Sequence, residues 1–132
     1  MPVREFTPAA PDANRVQAHS VTDPTNGSVR MMEARQAAEL EQFFNAELER
    51  STNTHVDLVV STGENAGMTV AMPDKFFRGQ FARMTVQLGL HLVNADFVPL
   101  DLRGLSAANV EKVEQFVRSL PESEKDRVIF IR

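Results

Sequence analysis

Apolar residues recur every three or four positions in three stretches of the chain. This spacing is typical of helices that bury one face, and it predicts helices over residues 30–50, 74–88 and 104–120. Pro73-Asp74 can begin the second helix, because an aspartate accepts hydrogen bonds from the free N–H groups of a first turn. Ser106 is the expected N-cap of the third helix.

Gly89 leaves two alternatives for the end of the second helix. Glycine is favoured just past a helix, because it adopts positive φ without strain; the helix would then end at residue 88, and residues 90–93 would begin a strand. Alternatively, the helix continues to Asn94 and tolerates an interior glycine at a cost of about 1 kcal/mol. The first alternative is our prediction.

The first helix has an apolar stripe that is widened by the adjacent Phe43 and Phe44. Either both rings lie in the core of one monomer, or one serves the core and the other contacts a second copy. Glu39 and Glu41 fall outside the stripe, so we expect them on the exposed face of the helix.

Alternating apolar and polar residues over 55–61 and 68–72 predict two strands that pair as a hairpin. The segment between them, residues 62–67, is rich in turn-forming residues. Because exposed loops often carry binding residues, Glu64 and Asn65 are candidate contacts for a partner.

Two further strands are predicted near the C-terminal end. Residues 97–102 alternate, and Pro99 places this strand at a sheet edge because proline cannot donate to a ladder. Residues 127–132 contain four consecutive apolar residues, as in a central strand covered on both faces. The element order predicts an α+β or α/β two-layer sandwich, in which about three helices pack on a mixed sheet.

Residues 1–29 are predicted to be a flexible N-terminal arm, followed by a single domain over residues 30–132. The arm holds four of the seven prolines and few large apolar side chains. Such a segment buries little surface to offset its ordering entropy. It is either a disordered tail or an arm that orders on a partner or a second copy, with Phe6, Val16 and Val21 as anchors.

Composition and charge narrow the range of functions. The chain has 132 residues, a formal net charge of −4 and no cysteine. The absence of cysteine excludes disulfides and a thiol nucleophile. No basic cluster is present, so nucleic acid is disfavoured as a partner. With no apolar run near the ~20 residues that span a bilayer, we predict a soluble, acidic, cytoplasmic protein without a membrane partner.

The three histidines, His19, His55 and His91, lie far apart and form no short ligand motif. We therefore expect no metal and no cofactor. The sequence also contains no Gly-x-Ser-x-Gly motif, which would mark a serine nucleophile at a strand-to-helix turn. No residue is proposed as catalytic on these grounds.

Residues 68–74, followed by a helix, resemble the opening of a ribbon–helix–helix repressor, in which a short strand precedes a proline and a helix. The resemblance implies a DNA-binding regulator whose strand pairs with a second copy and enters the major groove. Thr69 and Ala71 would then be the outward positions. The strand carries no Arg, Lys or Gln to read bases.

The leading prediction is a small non-enzymatic protein–protein interaction module, an assembly or adaptor protein that self-associates as a homodimer. It rests on the missing catalytic motifs, the arm and the acidic balance. One alternative is a small enzyme with a site near Asp96, Asp101, Arg103 and the 62–67 loop; the other is the DNA-binding regulator. The predicted partner-binding residues are Phe6, Val16, Val21, Phe43, Phe44, Glu64 and Asn65.

Overall fold

The computed structural model describes residues 4–20, 31–52, 56–72 and 81–132. These residues form five helices and six strands, which build an α+β fold as predicted. In chain order the elements are β1 (Arg4–Phe6), α1 (Ala13–His19), α2 (Met31–Phe44), β2 (Leu48–Arg50), β3 (Leu58–Val60), β4 (Thr69–Val70), α3 (Phe81–Asn94), β5 (Val98–Asp101), α4 (Ala107–Arg118), α5 (Glu122–Lys125) and β6 (Val128–Ile131).

The strands form two three-stranded sheets. The first is parallel and places β6 between β1 and β5. The second is antiparallel and follows the order β2-β3-β4. A parallel bridge between Val70 and Phe97 joins the two sheets. At this bridge the Ala71 amide donates to the Phe97 carbonyl over 3.0 Å.

Strand β6 is the central strand that its four apolar residues predict, and all four are buried. Because side chains alternate across a strand, β6 serves two hydrophobic clusters. Ile129 and Ile131 join the cluster formed with α2 and the antiparallel sheet. Val128 and Phe130 join the cluster formed with α3, α4 and β5. Both faces of this sheet are therefore covered.

Helix α3 continues through Gly89 to Asn94, so the predicted glycine cap is wrong and the longer alternative is correct. Gly89 is exposed, and a Cβ built on it would meet nothing within 4 Å. The helix beyond it is held by burial of Leu92 on the core side. Residues 90–93 are helical rather than the start of a strand. The predicted helix start at residues 73–74 lies outside the described residues.

Helix α2 ends at Phe44, and residues 48–50 form β2, so the predicted helix over residues 30–50 is too long. Asn45 leaves the helix with a positive φ of 49°. The Leu48 amide then donates to the Glu41 carboxylate over 2.8 Å instead of to a helical carbonyl. A side chain of α2 thereby stabilises the start of β2.

Other sequence predictions are confirmed. The hairpin forms from β3 and β4. Strand β5, which contains Pro99, lies at one end of the parallel sheet. Helix α4 begins after Ser106, whose Oγ accepts a hydrogen bond from the Asn109 amide over 3.2 Å. Strands β5 and β6 pair in parallel, as a mixed sheet allows, and are connected through α4 and α5.

Residues 4–20 differ from the predicted flexible arm, because they form β1 and α1. Strand β1 pairs with β6, and the Phe6 carbonyl accepts a hydrogen bond from the Arg132 amide over 3.0 Å. The Ala9 amide and carbonyl bond to the Gln42 side chain over 2.9 and 3.1 Å. Hydrogen bonds thus fix a segment that has little apolar surface. The division at residues 29 and 30 stays a prediction.

Within the part of the chain that the structure describes, no helix has both the length and the apolar character needed to cross a membrane.

Candidate functional site

The structure brings together only part of the enzyme site that the sequence suggested. Asp101 ends β5, and its carboxylate accepts hydrogen bonds from the Arg103 side chain at 2.9 and 3.0 Å. Asp96 precedes the same strand, five residues earlier and so roughly 16 Å away at about 3.3 Å per residue, and its carboxylate accepts hydrogen bonds from the Thr69 amide and hydroxyl. The 62–67 loop contacts the start of β2, where the Glu47 amide donates to the Thr62 hydroxyl.

Asp101 and Arg103 instead belong to a cluster with Gln36 and Glu39 of α2, which we call the Glu39 cluster. Arg103 donates to both carboxylate oxygens of Glu39 over 2.6 and 2.9 Å. Gln36 donates to Asp101 over 3.0 Å. The Glu39 side chain is only 2% exposed, so this ion pair lies largely out of solvent.

Asp101 and Arg103 of the Glu39 cluster are both charged at neutral pH. Burial disfavours the charged form of Asp101, but the hydrogen bonds from Arg103 outweigh it and hold the pKa of Asp101 below its ordinary value. Hydrogen bonds from Glu39 and Asp101 raise the pKa of Arg103 further above its ordinary value. None of these shifts brings a group towards neutral pH, so the cluster is suited to holding structure rather than to moving protons.

A second cluster lies between α1 and α2, and we call it the Glu41 cluster. The Arg15 guanidinium donates to the two Glu41 carboxylate oxygens over 2.9 and 2.6 Å. His19 is buried, and its Nε2 lies 3.2 Å from Glu41 Oε2. That contact lacks hydrogen-bond geometry, so among the described residues Nε2 has no hydrogen-bond partner. A pocket of about 280 Å³ opens between α1 and residues 47–50.

Several donors determine the charge of Glu41. Burial disfavours its ionised form, but hydrogen bonds from Arg15 and the Leu48 amide, together with the charge of the neighbouring His19, hold the pKa of Glu41 below its ordinary value. The hydrogen bond to Glu41 likewise raises the pKa of Arg15. The carboxylate therefore remains ionised and fixes both α1 and β2.

A third candidate group is Asp57, at the base of the hairpin. This residue is half-buried, and its Oδ2 accepts a hydrogen bond from the Met72 amide over 2.7 Å. Its own amide donates to the Val70 carbonyl over 3.0 Å. Oδ1 accepts no hydrogen bond from any described residue. The chain continues from Met72 into Pro73-Asp74-Lys75, which lie outside the described residues.

None of the three clusters forms a metal site on its own. Within the described ranges, no three histidine or carboxylate side chains are placed to hold a metal ion together. The Glu41 cluster combines one carboxylate with one histidine, and Asp57 supplies a single carboxylate.

The three phenylalanines predicted to bind a partner lie together in the core. The Phe6 and Phe43 ring centroids are 5.4 Å apart, and Phe44 lies 5.0 Å from Phe43 and 5.0 Å from Phe97. Phe44 is buried, and Phe6 and Phe43 pack against the same cluster. Both rings of the Phe43–Phe44 pair therefore contact the core of one monomer, but Phe43 is only partly buried, and partner binding by these phenylalanines stays a prediction.

The other predicted partner contacts are dispersed. Val16 is half-buried on α1, Glu64 is exposed in the 62–67 loop, and Asn65 is half-buried beside it. The Asn65 carbonyl accepts a hydrogen bond from the Met68 amide. Val21 lies outside the described residues. Partner binding by these residues stays a prediction.

Comparison with known proteins connects this fold to a family. The family model of the CdiA C-terminal tRNase domain matches residues 31–131. The chain is also 34% identical over 134 residues to the tRNA nuclease CdiA of Burkholderia pseudomallei, an alignment that covers 92% of this chain. It covers 10% of that relative, so the chain spans about a tenth of the relative's length.

A solved structure shows the same similarity in three dimensions. It is the CdiA-CT toxin from Burkholderia pseudomallei E479, in complex with its cognate CdiI immunity protein. The TM-score is 0.68 at 34% sequence identity, and the alignment covers 76% of this chain and 97% of that chain.

These findings overturn several predictions. A tRNase domain is enzymatic, so the prediction of a non-enzymatic assembly or adaptor module is wrong, and the family match counts against the prediction that nucleic acid is disfavoured as a partner. The ribbon–helix–helix alternative is also wrong, because β4 pairs with β3 of its own chain. The family model extends from the start of α2 to the end of β6, and the fold agrees with that of a solved relative. This chain therefore belongs to the family of CdiA C-terminal tRNase domains.

Proposed function

We propose that this chain is a nuclease toxin domain that cleaves tRNA. The observation that carries the proposal is the family match over residues 31–131, which includes both sheets except β1. The 34% identity to a tRNA nuclease and the similarity to a solved toxin support it. The reaction would be hydrolysis or transesterification of a phosphodiester bond in the tRNA chain.

The position of the family match helps to locate the cleavage site. Arg15 and His19 lie outside residues 31–131, which the family model matches, and the Glu41 carboxylate inside this range is bonded at both oxygens by Arg15. The Glu39 cluster lies inside it, but Arg103 and Gln36 already bond its two carboxylates. A carboxylate that is bonded in this way is poorly placed to receive a proton or to orient a water molecule.

Of the three groups described above, Asp57 is the candidate catalytic carboxylate that remains. It lies inside the family match and is half-buried; the Met72 amide orients its Oδ2, and no described residue donates a hydrogen bond to its Oδ1. A carboxylate held in this way can orient an attacking water or contribute one oxygen ligand to a metal ion. Its position on a paired hairpin gives it a rigid support.

Cleavage by the full chain and by an Asp57→Asn variant tests both parts of the proposal. Asparagine keeps an oxygen that can accept from the Met72 amide, so the variant should fold while losing the charge. We expect the full chain to cut tRNA in a denaturing-gel assay and Asp57→Asn to be slower by about a hundredfold or more. Circular dichroism before the assay confirms that the variant is folded.

Asp96→Asn is the matched control, because Asp96 is also a hydrogen-bonded carboxylate that contacts the hairpin, through Thr69. We expect it to retain cleavage activity. Unchanged cleavage by Asp57→Asn would reject the site but not the function. Failure of the unmodified chain to cleave any tRNA, with and without added Mg²⁺, would reject the function.

We also propose that a cognate immunity protein is the protein partner of this domain. The solved relative was captured in complex with such a protein, and 97% of that relative's chain aligns with this one. The expected result is a protein from the native cells that copurifies with the domain and abolishes tRNA cleavage at an equimolar ratio. Light scattering separates this complex from a homodimer; a copurifying protein that leaves cleavage unchanged would contradict the proposal.

A further inference from the structure

We propose that the outer side of α3 is the surface on which the cognate immunity protein docks. This inference rests on the proposed function, since it assigns the protein partner proposed above to a place on the chain. The surface consists of Val86, Gly89, Leu90 and Val93, all of them exposed, and we call it the α3 face. It shares no residue with the partner contacts that the sequence predicted.

The α3 face is apolar although it points to solvent. Val86, Leu90 and Val93 are 64%, 60% and 83% exposed. Their spacing of four and then three positions places them on one side of the helix. The opposite side holds the three α3 side chains that the core uses, Met84, Leu88 and Leu92. Helix α3 therefore has two apolar sides, and the monomer buries only one of them.

This concentration of exposed apolar side chains is unusual for the molecule. Among the described residues, four large apolar side chains are exposed, and three of them belong to the α3 face; the fourth is Met68 of the hairpin. Apolar residues that are exposed singly are common, whereas contiguous ones mark an interaction site. A helix side that faces water normally carries polar residues instead.

Gly89 gives the α3 face a shallow depression. A Cβ built on Gly89 would meet nothing within 4 Å. The described part of the monomer therefore offers no packing reason for a residue that weakens the interior of a helix. Because Gly89 has no side chain, a partner can approach the helix backbone between Val86, Leu90 and Val93.

The charge of α3 argues against RNA and against a membrane at this surface. From Met84 to Asn94 the helix contains no acidic residue, no lysine and no arginine. RNA affinity depends mainly on contacts between phosphates and basic side chains. Helices that bind membrane surfaces also carry lysine or arginine on their polar side. The α3 face instead matches an uncharged, apolar surface of another protein.

The size of the α3 face favours a different protein over a second copy. It spans about 10 Å at a rise of about 1.5 Å per residue, whereas obligate homodimers bury large and mainly apolar interfaces. The described surface has too little further exposed apolar area for such an interface. Polar residues border the face: Thr85, Gln87 and Asn94. A small apolar centre within a polar rim is the usual anatomy of an interface between different proteins.

The location of the α3 face explains how a docked protein would stop cleavage. Asp96 follows three residues after Val93, and its carboxylate accepts hydrogen bonds from the Thr69 amide and hydroxyl over 2.9 and 3.1 Å. The next residue of β4, Val70, accepts a hydrogen bond from the Asp57 amide over 3.0 Å. The C-terminal end of α3 thus adjoins the hairpin that carries the candidate cleavage site. A protein on the α3 face can keep tRNA away from Asp57 by occupying the space beside it.

Calorimetry on two variants tests the docking site. The titrant is the purified protein that copurifies with the chain from the native cells. Leu90→Glu places a charge on the α3 face, and we expect it to weaken binding about a hundredfold. Gly89→Leu fills the depression, and we expect it to weaken binding about tenfold or more, although it adds apolar surface.

Gln17→Glu is the matched control, because it adds the same charge at an exposed position of α1. Helix α1 packs on α2, which belongs to the other hydrophobic cluster. We expect this variant to bind as the parent chain does. Circular dichroism of each free chain verifies its fold before titration.

Several results would overturn the proposal. Unchanged affinity in either Leu90→Glu or Gly89→Leu would do so. Unfolding of the free Leu90→Glu chain would show that the face is covered within the monomer. A parent dimer that Leu90→Glu dissociates in sedimentation would assign the face to a second copy. Binding of the parent but not of Leu90→Glu to phosphatidylglycerol vesicles would assign it to a membrane.

Cleavage assays on the same preparations separate this inference from the proposed function. We expect Leu90→Glu to cut tRNA at the parent rate and to resist inhibition by the titrant. A parent chain that binds the titrant but cleaves no tRNA would reject the nuclease function alone. A Leu90→Glu chain that cleaves tRNA and is inhibited as strongly as the parent would reject the docking site alone. If no protein copurified, the partner and its docking site would both be rejected.

Discussion

Helix α2 carries two glutamates, two positions apart, whose environments differ in an instructive way. Glu39 and Glu41 are 2% and 10% exposed at the side chain. Each receives a two-point contact from an arginine: Arg103 for Glu39 and Arg15 for Glu41. Residues two apart on a helix point to nearly opposite sides, so Glu39 meets the end of β5 and Glu41 meets α1 and β2.

The two clusters differ in what remains unbonded. At Glu39, the guanidinium is shared with Asp101, and Gln36 donates to the Asp101 carboxylate. At Glu41, His19 Nε2 lies 3.2 Å from the carboxylate and has no hydrogen-bond partner among the described residues, and a pocket opens next to the cluster. A saturated ion cluster stabilises a fold, whereas an unsaturated one is a candidate for binding. The burial and the charge of the two glutamates are similar and do not by themselves distinguish the Glu39 cluster from the Glu41 cluster.

The largest effect is expected when the saturated cluster is broken. Arg103→Met keeps most of the side-chain volume but leaves the Glu39 carboxylate buried without its cation. Breaking a buried pair by removing one partner costs about 3–5 kcal/mol, and since Arg103 is 35% exposed we expect the lower end, about 3 kcal/mol. Guanidinium denaturation measures the loss of unfolding free energy. A loss below about 1 kcal/mol would show that solvent reaches Glu39 after all.

Arg15→Met is the matched substitution at the other glutamate, and a smaller loss is expected. Glu41 retains the Leu48 amide as a donor after the change. The exposed fraction of the Arg15 side chain equals that of Arg103, at 35%, so the comparison isolates the buried carboxylates. We expect a loss of about 1 kcal/mol in the same denaturation experiment. A loss as large as that of Arg103→Met would mean that the Glu41 carboxylate depends on its arginine as strongly as the Glu39 carboxylate does.

Elements with local signals could be predicted from the sequence. Ser106 marks the start of α4 because its hydroxyl bonds the Asn109 amide three residues later. Strand β6 is recognisable because its own four residues are apolar. The end of α2 could not be predicted in this way, since the Leu48 amide bonds to Glu41, which in turn is held by Arg15, 26 residues away along the chain. The predicted helix end at Gly89 was wrong because a solvent-exposed glycine is tolerated inside a helix that is otherwise well packed.

The candidate sites were predictable to a lesser extent. Glu39 was expected on the exposed face, but Arg103, which buries and neutralises it, lies 64 residues away. Asp57 likewise depends on a residue that is distant along the chain, because its carboxylate is oriented only when the hairpin brings the Met72 amide beside it. The absence of a basic cluster along the sequence argued against nucleic acid, yet an RNA contact depends on the charges that the fold brings together at one place. The nuclease family emerged from comparison rather than from any residue pattern.

Acidification is expected to have the smallest effect on stability, and its pH dependence distinguishes the contribution of Asp101 from that of Glu41. Asp101 and Glu41 both have a lower pKa in the folded chain than their ordinary values of 3.8 and 4.5. The unfolded chain therefore binds protons more readily at acid pH. The stability that these carboxylates contribute is fully present above their ordinary pKa values and is lost as the pH falls through the folded ones.

Denaturation midpoints measured from about pH 6 down to about pH 2.5 check this prediction. We expect Asp101→Asn and Glu41→Gln each to be less stable than the parent near neutral pH and to lose less stability on acidification, because an amide has no proton to gain. The flattening should begin at higher pH for Glu41→Gln, since glutamate has the higher ordinary pKa. If both variants declined as steeply as the parent chain, the acid sensitivity would lie in other carboxylates, and the ionised state of these two would contribute nothing that depends on pH.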